Sequence, residues 1–173
     1  MEMMGNIKES ARTCGGLFEL TERKNVVSSA LAGILFTVGW WCIIDVACMK
    51  THVGLPLYEF NDAYHVIGVV STIAFFMINV VSNGQVRGEG YSDGCLGQKG
   101  ARIWLFLGFV MGFSALIAAT WVLFQNYVVG PIDASGAHNA PPRSWPGVGL
   151  FLQNLFIFLG ALVYKFGRSE GDI

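Results

Sequence analysis

The stretch IWLFLGFVMGFSALIAATWVLF, residues 103–124, decides the fold, because it contains no charged side chain from its first residue to its last. A membrane-spanning helix needs about 20 mostly apolar residues, which cover the hydrocarbon core of roughly 30 Å at about 1.5 Å per residue. The apolar character continues to Val129. The stretch therefore predicts a transmembrane helix.

Three more stretches meet the same criterion, at residues 26–49, 64–83 and 146–166. The whole chain is 53% hydrophobic and 13% charged, whereas soluble domains carry about 25% charged residues. The first stretch is longer than the 7–15 apolar residues of a signal peptide, so we expect it to remain uncleaved. The sequence predicts an all-α, polytopic membrane protein, a four-transmembrane-helix bundle over residues 26–166.

The distribution of Lys and Arg predicts the orientation. Nine of the 11 lie in residues 1–25, in the loop at 84–102 and at the C-terminal end, and only Lys50 and Arg143 lie elsewhere. Loops rich in Lys and Arg stay on the cytosolic side of a membrane. Both termini are therefore predicted to be cytosolic, with tails at residues 1–25 and 167–173.

The connection between the second and third spans, residues 82–102, contains six glycines. Its glycines do not have the G-x-G-x-x-G spacing, and Lys99-Gly100 reverses the order of a phosphate-binding loop. We expect glycine to supply positive φ in a connector. The connector is longer than the 2–8 residues usual between helices, which indicates a cytosolic recognition surface. The candidate contact residues are Gly84, Arg87, Gly88, Tyr91, Gly94 and Cys95.

The third span has small residues at steps of four, three and four, which fall on one helical face. This pattern allows close helix approach, for internal packing or for docking of a partner membrane protein. The residues are Gly108, Gly112, Ala115 and Ala119.

Five polar residues within the predicted spans are candidate functional groups: Asp45, His65, Asn79, Gln153 and Asn154. Asp45 either pairs with Lys50 at a membrane boundary or has a function of its own. His65 could join Asp45 and His52 in a pH-sensitive lumenal cluster. The three amides are expected to form hydrogen bonds between helices. The alternative is that they form a substrate site.

The sequence contains no motif typical of a metal or redox site, of an enzyme or of a nucleic-acid-binding protein. The four cysteines form no C-x-x-C pair, and no nucleophile and base stand at catalytic spacing. The net charge of −1 provides no field for nucleic acid. We expect no enzyme activity, no catalytic residue, no cofactor or metal site, and no nucleic-acid partner.

Four strings carry a resemblance to the transmembrane protein 50 family, which has a vacuolar protein sorting protein as its yeast relative. They are GWWCIID at 39–45, MINVVSNGQVRG at 77–88, YSDGCLGQKGARIWLF at 91–106 and QNLFIFLGALVYKFGR at 153–168. The resemblance covers about residues 22–170.

The resemblance implies a four-pass protein of endoplasmic reticulum, Golgi and late endosome membranes. It implies a non-enzymatic accessory role in transport from the late endosome to the vacuole or lysosome. It also implies a complex with a second small four-span protein, similar to the leptin-receptor-overlapping-transcript family. The residues leave two alternatives open, a small ion or solute transporter and a lipid-handling membrane protein.

Overall fold

The computed structural model describes residues 2–52, 60–88, 97–130, 136 and 144–168, with side chains in the first helix described over residues 21–49. These residues form helices and no strand. A 3₁₀ turn, Asp62–Tyr64, precedes α2, and a π-helical segment, Leu123–Val129, continues α4. The α-helices are α1 Glu2–His52, α2 His65–Val80, α3 Asn83–Arg87, α4 Gly97–Val122 and α5 Trp145–Gly167.

Four helical segments in the described part of the chain are long and apolar enough to cross a membrane. They cover Thr21–Met49, Asp62–Val80, Gly97–Val129 and Trp145–Gly167. Large apolar side chains point outward from them, and Trp41 and Trp121 are 72% and 69% exposed. In water such exposure would be unfavourable, whereas lipid chains accept it. The predicted all-α class with four spans is confirmed.

The last helix, α5, is the centre of the bundle, because it packs against α1, α2 and α4. Half of its most apolar stretch is buried, compared with about a fifth in each of the other three spans. Leu150, Gln153, Asn154 and Ile157 have no exposed surface. Polar groups on α5 therefore lie deep inside the protein.

The backbones of α1 and α5 approach closely at glycines. A Cβ atom at Gly39 would lie 2.9 Å from the backbone oxygen of Gln153, and one at Gly160 would lie 3.1 Å from that of Ala32. Ordinary van der Waals contacts begin at about 3.4 Å. Small residues allow the two backbones to approach this closely, as in other pairs of membrane helices.

Several boundaries differ from those predicted. The α1 helix begins at Glu2, so it continues through the predicted tail at residues 1–25. The second span ends at Val80 instead of residue 83, because Val81 is extended, with ψ of 127°, and Ser82 caps a new helix. The π-helical segment carries the third span to Val129, where the apolar character of the sequence also ends.

Candidate functional site

Two neighbouring amides on α5 form a polar centre in the middle of the apolar bundle. The Asn154 Oδ1 atom accepts a hydrogen bond from the Ser71 hydroxyl of α2, at 2.5 Å. The Asn154 Nδ2 atom donates to the Leu150 carbonyl of its own helix, at 2.8 Å. Asn154 is fully buried and Ser71 is 3% exposed, so this bond links α5 to α2 away from the protein surface.

Gln153, beside it, is also fully buried, and neither its Nε2 nor its Oε1 atom has a hydrogen-bond partner. Its carboxamide lies against α2 at Gly68, where an added Cβ atom would overlap the Nε2 atom. Glycine is therefore required at position 68 for Gln153 to keep this position. A buried polar group without a partner costs about 1–3 kcal/mol, which makes Gln153 the least satisfied group described in the bundle interior.

The third predicted amide, Asn79, does not reach a neighbouring helix. Its Nδ2 atom donates to the Phe75 carbonyl one turn earlier on α2, at 2.8 Å, and its buried Oδ1 atom has no partner. Asn79 lies eleven residues after Gly68 on α2, a rise of about 16 Å. It is therefore separate from the polar centre.

Asp45 joins two spans instead of serving the polar centre. The Trp145 indole Nε1–H donates to Asp45 Oδ2 at 2.8 Å, and both residues are exposed. The bond ties the end of the first span to the start of α5. The predicted pairing of Asp45 with Lys50 lies outside the described side chains.

His65 lies in an aromatic group at the start of α2, with its ring centroid 5.2 Å from that of Phe60 in an edge-on arrangement. Phe60 also contacts the ring of Tyr64, whose hydroxyl accepts from Asn126 Nδ2 at 2.6 Å. The side chain of His52, the proposed partner in a pH-sensitive cluster, is outside the described residues.

At the opposite end, the start of the glycine-rich connector is a short, well-capped helix. The Ser82 hydroxyl accepts from the Gln85 backbone N–H at 3.2 Å, and the Gln85 side chain accepts from the Ser82 N–H at 3.3 Å. This reciprocal pair satisfies two donors at the start of α3. The helix ends at Arg87, and the capping residue Gly88 has a left-handed φ of 84° and an N–H that donates to the Gly84 carbonyl.

Side chains of α4 hold α3 in place. Arg102 Nε donates to the Val86 carbonyl at 3.1 Å, and Gln98 Nε2 donates to the Arg87 carbonyl at 2.9 Å. Cationic and amide donors suit the carbonyl end of a helix. The Arg87 side chain itself is exposed.

A buried lysine from α5 supports the same end. Lys165 is 6% exposed, and its Nζ atom donates to the Val81 carbonyl, just after α2. We call this region, α3 with the adjacent ends of α2, α4 and α5, the α3 end of the bundle. It contains the candidates Gly84, Arg87 and Gly88. The candidates Tyr91, Gly94 and Cys95 lie outside the described residues.

The small-residue face of α4 is filled from inside the bundle. Gly108, Gly112, Ala115 and Ala119 are all buried. A Cβ atom at Gly108 would meet Ile78 of α2 at 3.0 Å, and one at Gly112 would meet the Phe158 ring of α5 at 2.9 Å. In this chain the face packs α4 against α2 and α5.

Residues 9–173 match the family model described as Uncharacterised protein family UPF0220. The chain belongs to this family. It is also 29% identical over 149 residues to a Transmembrane protein 50 homolog from Dictyostelium discoideum, covering 83% of this chain and 90% of that protein. The resemblance to the transmembrane protein 50 family is thus confirmed. No solved structure gives a significant match.

Several important residues of this UPF0220 chain escaped the sequence reasoning. Gly68 and Ser71 carry no distinctive motif, and they gain importance only because α5 places Gln153 and Asn154 opposite them. The seam between α1 and α5 had a readable signal, since its buried α1 residues recur at spacings of four, seven, four and three. They are Ser28, Ala32, Gly39, Ile43 and Val46.

Proposed function

We propose that this UPF0220 protein is a non-enzymatic accessory subunit of endosomal and secretory membranes. It would take part in transport from the late endosome to the vacuole or lysosome while residing in the endoplasmic reticulum, Golgi or late endosome. It would act through a complex with another small membrane protein, of the four-span leptin-receptor-overlapping-transcript type. This proposal extends the family resemblance with one structural observation.

That observation is the fixed geometry of α3. A connector that only joins two spans needs no defined shape, yet here its first part is capped at Ser82 and held at its carbonyl end by Gln98 and Arg102. Pre-ordered surfaces bind with a smaller loss of conformational entropy. The arrangement supports a role for the α3 end as a recognition surface, with both termini and this end in the cytosol.

The polar groups near this surface support a contact role. Gln98 and Arg102 are engaged with backbone carbonyls, and Ser82 and Gln85 cap each other. Arg87 and Lys99 are exposed, so they offer positive charge to an acidic segment of a partner.

Co-purification in a mild detergent tests the proposal, with a tagged leptin-receptor-overlapping-transcript protein as bait. The double variant Arg87→Glu with Lys99→Glu is expected to lose the partner. The matched control is Arg168→Glu, an exposed charge reversal at the same end of the bundle. Equal recovery of the partner with all variants, each eluting as a folded protein in gel filtration, would refute the recognition surface.

A small ion or solute transporter is the second candidate, and the buried Gln153 carboxamide without partners is the observation that favours it. Polar groups inside a membrane bundle often mark a pathway. This candidate predicts flux into proteoliposomes that Gln153→Leu abolishes. An absence of flux in the unmodified protein across a panel of cations and neutral solutes would reject it.

A further inference from the structure

We propose that the polar centre formed by Gln153, Asn154 and Ser71 binds water inside the hydrocarbon layer of the membrane. The observation behind this proposal is the carboxamide of Gln153, which is fully buried and has neither its donor nor its acceptor atom paired. Buried polar atoms in folded proteins are almost always satisfied by protein groups or by ordered water. This proposal does not depend on the partner surface at the α3 end.

The hydrogen-bonding capacity of the centre fits a bound water. An amide offers two N–H donors and a carbonyl acceptor, and a hydroxyl offers one donor and two lone pairs. Asn154 uses one N–H on the Leu150 carbonyl and one acceptor site on Ser71. One N–H of Asn154, the lone pairs of Ser71 and the whole Gln153 amide remain available. A buried water needs two to four such partners.

These groups lie at the same helix contact. Gln153 and Asn154 are adjacent on α5, and the residues that they face, Gly68 and Ser71, are three residues apart on one face of α2. The Gln153 amide occupies the space that a side chain at position 68 would fill. The available donors and acceptors are therefore all at the contact between α2 and α5.

The chemistry of the centre favours a neutral occupant over a bare ion. Two carboxamides and a hydroxyl carry no net charge, and a lone ion moved into a low-dielectric interior loses several kcal/mol of solvation. Water satisfies both the donor and the acceptor of Gln153 without a charge to compensate. A dry centre would instead leave the amide with an uncompensated loss of hydration.

Thiol labelling tests the hydration directly. A cysteine thiolate attacks a methanethiosulfonate reagent to form a disulfide and release methanesulfinate, and the thiolate forms only where water is present. The variants are Ser71→Cys at the polar centre and Ala74→Cys, one turn later on α2 and 1% exposed, against 3% for Ser71. The native cysteines are first replaced by alanine: Cys14, Cys42, Cys48 and Cys95. The Ser71→Cys thiol is expected to react at least about tenfold faster. Equal rates would overturn the proposal.

A second measurement uses the unsubstituted protein, and so does not depend on folding of a variant. X-ray radiolysis of water produces hydroxyl radicals that oxidise side chains beside bound water. Ser71 at the polar centre and Ala74 one turn later on α2 are 3% and 1% exposed. Relative to the same residues in the unfolded protein, mass spectrometry is expected to find several-fold more oxidation at Ser71. Equal protection of both residues would show that the centre is dry.

Discussion

Replacing Gly39 by alanine should separate the two most closely packed helices of the bundle. The added Cβ atom would lie 2.9 Å from the backbone oxygen of Gln153 and 3.2 Å from the Ile157 side chain. A backbone oxygen cannot rotate away as a side chain can. The α1 and α5 helices would therefore have to move apart by about 0.5 Å at this point to restore an ordinary contact distance.

The size of the effect follows from comparison with Gly33, which lies on the same helix and where an added methyl group would have no neighbouring atom within 4 Å. Alanine in place of glycine favours a helix by up to about 1 kcal/mol at either position. Overpacking costs about 1–3 kcal/mol and applies only at Gly39. Gly39→Ala should therefore be about 1–3 kcal/mol less stable than Gly33→Ala, since the propensity terms cancel.

Reversible unfolding with sodium dodecyl sulfate in mixed micelles measures the difference, followed by far-ultraviolet circular dichroism. We expect Gly33→Ala to match or exceed the parent protein and Gly39→Ala to unfold at a lower detergent fraction. Ultracentrifugation must show one oligomeric state for both variants. If the two alanine variants unfold together, α1 and α5 do not make the backbone contact described, and the reasoning fails.

Three further perturbations address two hydrogen bonds and one backbone conformation. Trp145→Phe removes the hydrogen bond to Asp45 and should lower the free energy of unfolding by about 0.5–1.5 kcal/mol; an unchanged value in the same unfolding assay would show that this exposed bond adds no stability. Lys165→Met removes the buried donor to the Val81 carbonyl and should cost about 1–3 kcal/mol, and a variant as stable as the parent would contradict the role of this bond. Gly88→Ala places a side chain at φ of 84°, which costs about 1–2 kcal/mol. Amide hydrogen exchange in α3 should then become faster in the variant. Unchanged exchange would show that the left-handed cap at Gly88 does not stabilise α3.

The membrane class and the approximate spans were readable from the sequence, because hydrocarbon imposes a length and a composition on any helix that crosses it. The face of α4 was readable for a similar reason. Gly108 and Gly112 are four residues apart, so they share one side of the helix, and both are buried there. Left-handed glycine in the connector was also expected, and Gly88 adopts it.

The central position of α5 was not readable. In a soluble protein, the buried face of a helix is apolar and the exposed face is polar, but lipid is as apolar as the protein interior. Trp41, 72% exposed, and Ile157, fully buried, therefore look equivalent in the sequence. Only the pairing of helices shows which apolar residues face lipid.

The polar residues of the spans were also predictable only in part. The sequence showed that Gln153 and Asn154 lie within a span, but their different environments depend on α2. Ser71 is placed to bond Asn154, whereas Gly68 offers Gln153 no side-chain partner. The short helix α3 does have a signal in the sequence, the Ser82-x-x-Gln85 capping pattern, which lies at the start of the glycine-rich connector.

The topology of the chain is tested most directly by labelling with a membrane-impermeant maleimide in sealed microsomes whose cytosolic face is outward. Two single-cysteine proteins are compared, one that keeps only Cys95 and one that carries only Ser135→Cys. Four crossings with cytosolic termini predict that Cys95 reacts in intact vesicles and that the cysteine at position 135 reacts only after permeabilisation. Reaction of both cysteines in intact vesicles, or of position 135 alone, would contradict the account.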